Sequence, residues 1–161
     1  MTGELFVVGT PIGNLGDFSP RAVETLRTVD FIAAEDTRVS IKLLNYFDIK
    51  NKLIAYHEHN RAEKGPSIVE RLLAGESCAL VTDAGMPAIS DPGQDLVRLC
   101  HESGIKVNTV PGPSAIITAL ALSGLEVSRF TFEGFLTGNK PKRREHLEEI
   151  KTERKTMVFY E

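Results

Sequence analysis

Short apolar runs alternate along the chain with longer amphipathic stretches. Leu5–Val8, Phe31–Ala34, Leu53–Tyr56, Ala79–Val81 and Val107–Val110 read as strands. Pro20–Val29, Arg38–Phe47, Ser67–Leu73, Asp95–His101 and Ala115–Leu122 place apolar residues three and four apart and read as helices. Strand and helix in strict alternation predict βαβ units, because parallel neighbours need a crossover long enough to hold a helix. The expected fold is therefore α/β, a mostly parallel sheet with helices on both faces. Helix starts are marked by Ser19-Pro20, Thr37 and Ser114 as N-caps, and helix stops by Gly75 and Gly104.

The pattern changes after Gly124. Arg129–Phe135 reads as a strand, Lys142–Glu153 as a charged helix and Thr156–Tyr160 as a further strand. Residues 1–123 are expected to form an N-terminal α/β domain, and residues 124–161 a linker and the first elements of a second α/β domain. An apolar strand needs partners for its backbone groups. For Thr156–Tyr160 these are expected in chain beyond residue 161, so the second domain reads as truncated; the alternative is a partner in the Arg129–Phe135 strand.

Composition narrows the class. With 161 residues there is room for one substantial α/β core but hardly for two complete domains. Apolar residues at 42% and charged residues at 25% are ordinary globular usage, and no apolar run is long enough to cross a bilayer. The opening Leu5–Val8 run stops at Gly9, too short for a signal segment, so the expected location is cytoplasmic. Cys78 and Cys100 have no metal spacing and are expected to be reduced core thiols. A net charge of −3 offers no global attraction for nucleic acid, so any such partner must be met by a local patch.

Ligands of parallel sheets bind beyond the carboxyl ends of the strands, which directs attention to the loops there. The first, Gly9-Thr10-Pro11-Ile12-Gly13-Asn14-Leu15-Gly16-Asp17, has neither the glycine spacing of a dinucleotide fingerprint nor the Gly-Lys-Ser/Thr of a P-loop. A second, Thr82 to Gly93, is long for a strand-to-helix connection and rich in small residues. The third, Pro111-Gly112-Pro113-Ser114-Ala115, is stiff and ends on a helix N-terminus, which can hold a carboxylate. Each loop alone could be a tight corner, but three on one sheet edge predict a pocket. Gly85 and Ala115 are expected to face its ligand closely enough that a bulky replacement blocks binding and leaves the fold intact.

Glu35-Asp36-Thr37-Arg38 follows the second strand, where dinucleotide-binding proteins hold ribose hydroxyls, so a nicotinamide dehydrogenase is a rival reading weakened by the first loop. A helix cap with a local ion pair would also account for Asp36 and Arg38. His57-Glu58-His59-Asn60 is expected to form a polar pocket wall, because in a strand the two histidines share a face and no third metal ligand is evident. No metal is expected. Lys140, Lys142, Arg143 and Arg144 are either a solvated helix start or a phosphate-binding cluster.

Taken together, Gly9–Leu15, Ala33–Arg38, Asp83-Ala84-Gly85-Met86-Pro87 with Ser90-Asp91-Pro92-Gly93, Pro111–Ala115 and Phe132-Glu133-Gly134-Phe135-Leu136 resemble, in order along the whole chain, the tetrapyrrole methylase superfamily. The resemblance is to its branch acting on small-subunit ribosomal RNA. Corrin and precorrin methylases carry Gly-Asp-Pro where this chain has Asp83-Ala84-Gly85. Met86, where threonine is usual, is a small departure. The resemblance implies two domains with S-adenosylmethionine in the cleft between them, a homodimer, and relatives that continue well beyond this length. It implies donor contacts at Pro11, Ile12, Gly13, Asp83, Ala84, Gly85, Met86, Ala88, Ser114, Ala115 and Tyr160. The implied reaction is methylation of a cytidine ribose 2′-oxygen in 16S ribosomal RNA, with the small ribosomal subunit as partner. A ribose hydroxyl needs a proton acceptor. Glu35 and Asp36 are the candidates, with Arg38, His57, Asn60, Lys142, Arg143 and Arg144 as substrate contacts. A tetrapyrrole methyltransferase and a nucleotide-binding module without turnover are the alternatives.

Overall fold

The computed structural model describes residues 2–161. The chain divides into two compact units, one ending at Ser114 and the other running from Ala115 to Glu161. The change of pattern in the sequence falls later, at 123/124. In the first unit the order is β1 (Glu4–Val8), a 3-10 turn (Leu15–Asp17), α1 (Pro20–Thr28), β2 (Phe31–Ala34), α2 (Thr37–Tyr46), β3 (Leu53–Ala55), α3 (Arg61–Leu73), β4 (Cys78–Val81), α4 (Gly93–Glu102) and β5 (Lys106–Val110). The strands form one sheet in the order β3-β2-β4-β1-β5, and every pairing in it is parallel.

Alternation of residues within the strands decides which helix covers which face. Leu5, Val7, Phe31, Ala33, Cys78 and Leu80 pack with Ile68, Val69 and Leu72 of α3 and Leu96 and Cys100 of α4. Their neighbours Val8, Ile32, Ala34, Ala79 and Val81 turn to the other face and meet Ala22 and Leu26 of α1 and Leu44 of α2. A strand buried on both faces has no polar positions to spare, which is why Phe31–Ala34 and Cys78–Val81 read as unbroken apolar runs. Burial of each large side chain, such as Leu26 or Leu72, contributes on the order of 2 kcal/mol. The arrangement also follows from handedness. Connections β1 to β2 and β2 to β3 run toward one sheet edge, and β3 to β4 and β4 to β5 run back, so right-handed crossovers put α1 and α2 on one face and α3 and α4 on the other.

Helix ends agree with the sequence reading in part. Ser19 Oγ accepts the Ala22 N–H at 3.1 Å with Pro20 in the first turn. Gly75 and Gly104 stand one residue past the caps of α3 and α4 with φ of 103° and 68°, the left-handed region that glycine adopts at least cost. The cap of α2 is Asp36 and not Thr37: its Oδ1 accepts the Arg38 N–H at 2.8 Å. Helix α3 begins at Arg61, six residues before the expected Ser67, with Pro66 inside it. Strand β3 ends at Ala55, so His57 and His59 lie in a turn and not on a strand face. Both cysteines are free and buried.

The second unit contains α5 (Ala115–Ser123), β6 (Phe130–Phe135), α6 (Lys140–Ile150) and β7 (Thr156–Tyr160). Strand β7 pairs with β6 in parallel, from Phe130 opposite Thr156 to Phe135 opposite Tyr160, so one edge of β7 has its partner within the described residues. Phe132 and Phe135 pack their rings on Tyr160 at centroid distances of 5.0 and 5.1 Å. Among the described residues no helix is long and apolar enough to cross a membrane.

Candidate functional site

Strands β1 and β4 are neighbours whose connections leave in opposite directions, the switch point at which open parallel sheets accept ligands. Here the loops leaving the two strands are tied together. Thr10 and Gly85 form an isolated antiparallel bridge, N–H to carbonyl in both directions at 2.9 and 3.2 Å. The buried Thr10 hydroxyl lies 3.3 Å from the Thr82 carbonyl and 3.4 Å from that of Gly85. The loop after β5 joins them: the Gly9 N–H donates to Val110 O at 3.0 Å and the Gly112 N–H to the Met86 sulfur at 3.2 Å. A side-chain carbon on Gly9 would stand 2.6 Å from the Gly112 Cα, and one on Gly112 would stand 2.8 Å from the Gly9 Cα. Two glycines are therefore required where these loops cross.

The three loops thus form one continuous small-residue surface. Gly13, at φ +130° with open space where a Cβ would stand, is exposed on it, as are Asp83 and Ala84. Pro11 and Ile12 are half-buried, as are Met86, Ala88 and Ser114. Gly85 behaves differently from expectation. It is buried at φ +85°, and a Cβ there would lie 3.3 Å from both Ile12 Cγ2 and the Pro113 carbonyl oxygen, so a bulky side chain would strain the loop junction itself. Ala115 begins α5 in the second unit, and Tyr160 lies there in β7.

Beside this surface the exits of β2 and β4 bring carboxyl groups together. Glu35 Oε2 accepts the Thr82 hydroxyl at 2.5 Å, and Asp83 Oδ1 accepts the Asp36 N–H at 3.1 Å. The Asp36 carboxylate is gripped by the Arg38 guanidinium, with Nη2 to Oδ2 at 2.7 Å, and these hydrogen bonds together with the Arg38 backbone N–H lower it to about 2. Asp83 moves the other way. Although the residue is exposed, its carboxyl group loses part of its hydration, which raises it, as do the charges of Glu35 and Asp36, against the opposing Asp36 N–H. Burial likewise raises Asp91, although the Gly93 and Ala88 N–H groups favour its charged form. Glu35 and Asp36 are equal candidates in the sequence; the ion pair with Arg38 separates them, and it also occupies the guanidinium expected to orient substrate.

Other expected contacts have local duties. Asn60 Oδ1 accepts the His57 N–H at 2.9 Å and its amide donates to Ala55 O at 3.0 Å, so this side chain clamps the turn after β3. The His57 and His59 rings lie 6.0 Å apart. Among the described residues no cluster of three potential metal ligands occurs. Helix α6 starts at Lys140, capped by Asn139 Oδ1 on the Lys142 N–H at 3.1 Å, and Arg143 pairs with Glu161 at 2.8 Å. Thr10, Thr82 and Gly112 have no assigned part in the sequence reading. A threonine two residues past a strand end, between glycine and proline, is the available signal for Thr10.

A family model, Tetrapyrrole (Corrin/Porphyrin) Methylases, matches residues 4–161, nearly the whole chain. The chain belongs to the tetrapyrrole methylase family. Similar proteins include ribosomal RNA small subunit methyltransferase I of Xylella fastidiosa, 54% identical over 159 residues, and that of Synechocystis, 52% identical over 159 residues. Each match covers 99% of this chain and 58% or 57% of the relative, so the chain spans little more than half the length of these tetrapyrrole methylases. Among solved structures, uroporphyrin-III-C-methyltransferase from Thermus thermophilus matches with a TM-score of 0.61 at 17% identity, over 84% of this chain and 60% of that one. At such identity the likeness establishes the fold alone.

Proposed function

We propose that the protein is an S-adenosylmethionine-dependent methyltransferase whose acceptor is a cytidine ribose 2′-oxygen in small-subunit 16S ribosomal RNA. The observation that carries the reading is the fusion of three small-residue loops into one surface at the carboxyl edge of the sheet, flanked by carboxylates, in a chain about half identical to proteins named ribosomal RNA small subunit methyltransferase I. The residues fit such a donor. Exposed backbone around Gly13 and Ala84 suits a flat, polar nucleoside, and the acidic exits of β2 and β4 suit a cation. Asp83 belongs to the proposed donor set on the same ground; Pro11, Ile12, Met86, Ala88, Ser114, Ala115 and Tyr160 enter it by family likeness. The bound donor supplies an electrophilic methyl group on a sulfonium.

The chain's own part is alignment and proton management. The Arg38 guanidinium and backbone N–H engage the Asp36 carboxylate, so Asp36 fixes Arg38 and caps α2 while Glu35 is the proposed proton acceptor. Loss of the Thr82 hydroxyl bond on approach of the acceptor would free Glu35 Oε2 for this role. Lys142, Arg143 and Arg144 are proposed to meet RNA phosphates, and the protein is proposed to act as a homodimer in the cytoplasm, where ribosomal subunits are available. In single-turnover transfer of a labelled methyl group to small subunits by the full-length protein, Glu35→Gln is expected to slow the step by about 100-fold, and Asp36→Asn by much less. Equal rates for Glu35→Gln and wild type would remove Glu35 from the reaction.

A further inference from the structure

Loop 82–92 holds two unusual backbone positions beyond its junction with the first loop. Ala88 and Ser90 both adopt the left-handed region, with φ of 69° and 64°. Neither is glycine, and an ordinary side chain is strained in that region. Ile89 between them is exposed. Something must hold this segment, and one side chain lies against it. Asp91 Oδ1 accepts the Ala88 N–H at 3.0 Å and the Gly93 N–H at 2.7 Å, joining the strained segment to the first residue of α4. The space for that oxygen exists because residue 93 is glycine: a Cβ there would stand 2.7 Å from Asp91 Oδ1, 2.9 Å from Leu80 Cδ2 and 3.1 Å from the Ala88 nitrogen. The carboxyl group is half-buried and is displaced upward from its ordinary value by that burial. A carboxyl group serving only as a helix cap would have no need to reach back three residues to Ala88.

We infer that Asp91 is a positioning residue: by accepting the Ala88 and Gly93 N–H groups together it fixes the backbone of 84–90 in the form that meets the methyl donor. This rests on the proposed donor reading, and it assigns to Asp91 no contact with the donor itself. Both hydrogen bonds end on one oxygen, so the device needs an acceptor atom and not a negative charge. An asparagine can present that atom; an alanine cannot.

The test is calorimetric binding of S-adenosylmethionine to the full-length protein, with amide hydrogen exchange at Ala88 and Gly93 measured alongside. Asp91→Ala is expected to bind the donor about tenfold more weakly, the effect of losing the acceptor shared by two backbone N–H groups, and to speed exchange at both amides. Asp91→Asn is expected to restore both readouts. Val69→Ala, in the core on α3, lowers melting temperature without moving either, which separates positioning from general destabilisation. Should Asp91→Ala fail to fold, Gly93→Ala displaces the same oxygen and is expected to weaken donor binding in the same way. Unchanged donor affinity in Asp91→Ala, or an Asp91→Asn variant as impaired as Asp91→Ala, would overturn the inference. A wild-type protein that binds no donor would instead overturn the donor reading, while the exchange rates at Ala88 and Gly93 still decide whether Asp91 holds the loop.

Discussion

At the scale of single residues, the acidic exits of β2 and β4 show how neighbours assign different work to identical side chains. Asp36 is hydrogen-bonded to a cation and to backbone, Asp83 loses part of its hydration beside the Glu35 and Asp36 carboxylates, and the two move in opposite directions from 3.8. Carboxyl resonances followed by NMR are therefore expected to show Asp36 titrating near 2 and Asp83 above 3.8, with Arg38→Ala returning Asp36 toward 3.8. A group depressed on folding stabilises above its unfolded value, so the Asp36 contribution is present above about 4 and is lost as pH falls toward 2. An Asp36 resonance at 3.8 in the wild type would show that the ion pair does not persist in solution. Glycines at the loop crossing are just as specific. Gly112→Ala places a methyl group 2.8 Å from the Gly9 Cα, a backbone atom that cannot turn aside, and is expected to destabilise the protein by about 1–3 kcal/mol in denaturant unfolding. Gly138→Ala, with open space around it, should leave the midpoint unchanged. The sequence marks both Gly9 and Gly112 as loop residues, but their mutual contact joins positions a hundred residues apart, and no local pattern carries such information.

Elements are more legible than contacts, for a physical reason. Strands buried on both faces must be apolar throughout, and Phe31–Ala34 is read from the sequence with the bounds the structure has. Helix starts depend on one hydrogen bond and are read less surely. Ser19 is identified because proline follows it; for α2 the sequence offers both Thr37 and Asp36, and the structure uses the Asp36 carboxylate for the Arg38 N–H. The start of helix α3 is hidden in the sequence because Pro66 normally marks a first turn, whereas tertiary packing carries the helix through it: Gly65 lies against Leu99 of α4, and Arg61 pairs with Asp95 at 2.6 Å. Removal of the Ser19 cap by Ser19→Ala is expected to cost about 1 kcal/mol in equilibrium unfolding, while Ser19→Asp keeps an oxygen for the Ala22 N–H and most of the stability. An alanine variant with the wild-type midpoint would mean that water replaces the cap at no cost.

For the molecule as a whole, sheet order turns scattered motifs into one surface. Loops separated by dozens of residues leave β1, β4 and β5, which the order β3-β2-β4-β1-β5 makes successive neighbours, and their glycines let them lock together. Their convergence is readable from the alternation of elements; the bridge between Thr10 and Gly85, which ties two of these loops together, is not. Family membership fixes the frame within which the small-residue surface and the Glu35 carboxylate acquire chemical meaning. The proposed cytidine acceptor is tested by offering the full-length protein labelled S-adenosylmethionine with assembled small ribosomal subunits, free 16S ribosomal RNA and a porphyrinoid, then locating the label. Label on the ribose of a single cytidine in small-subunit RNA, with none on the porphyrinoid, is the expected result; label on the porphyrinoid, or on no acceptor, would contradict it.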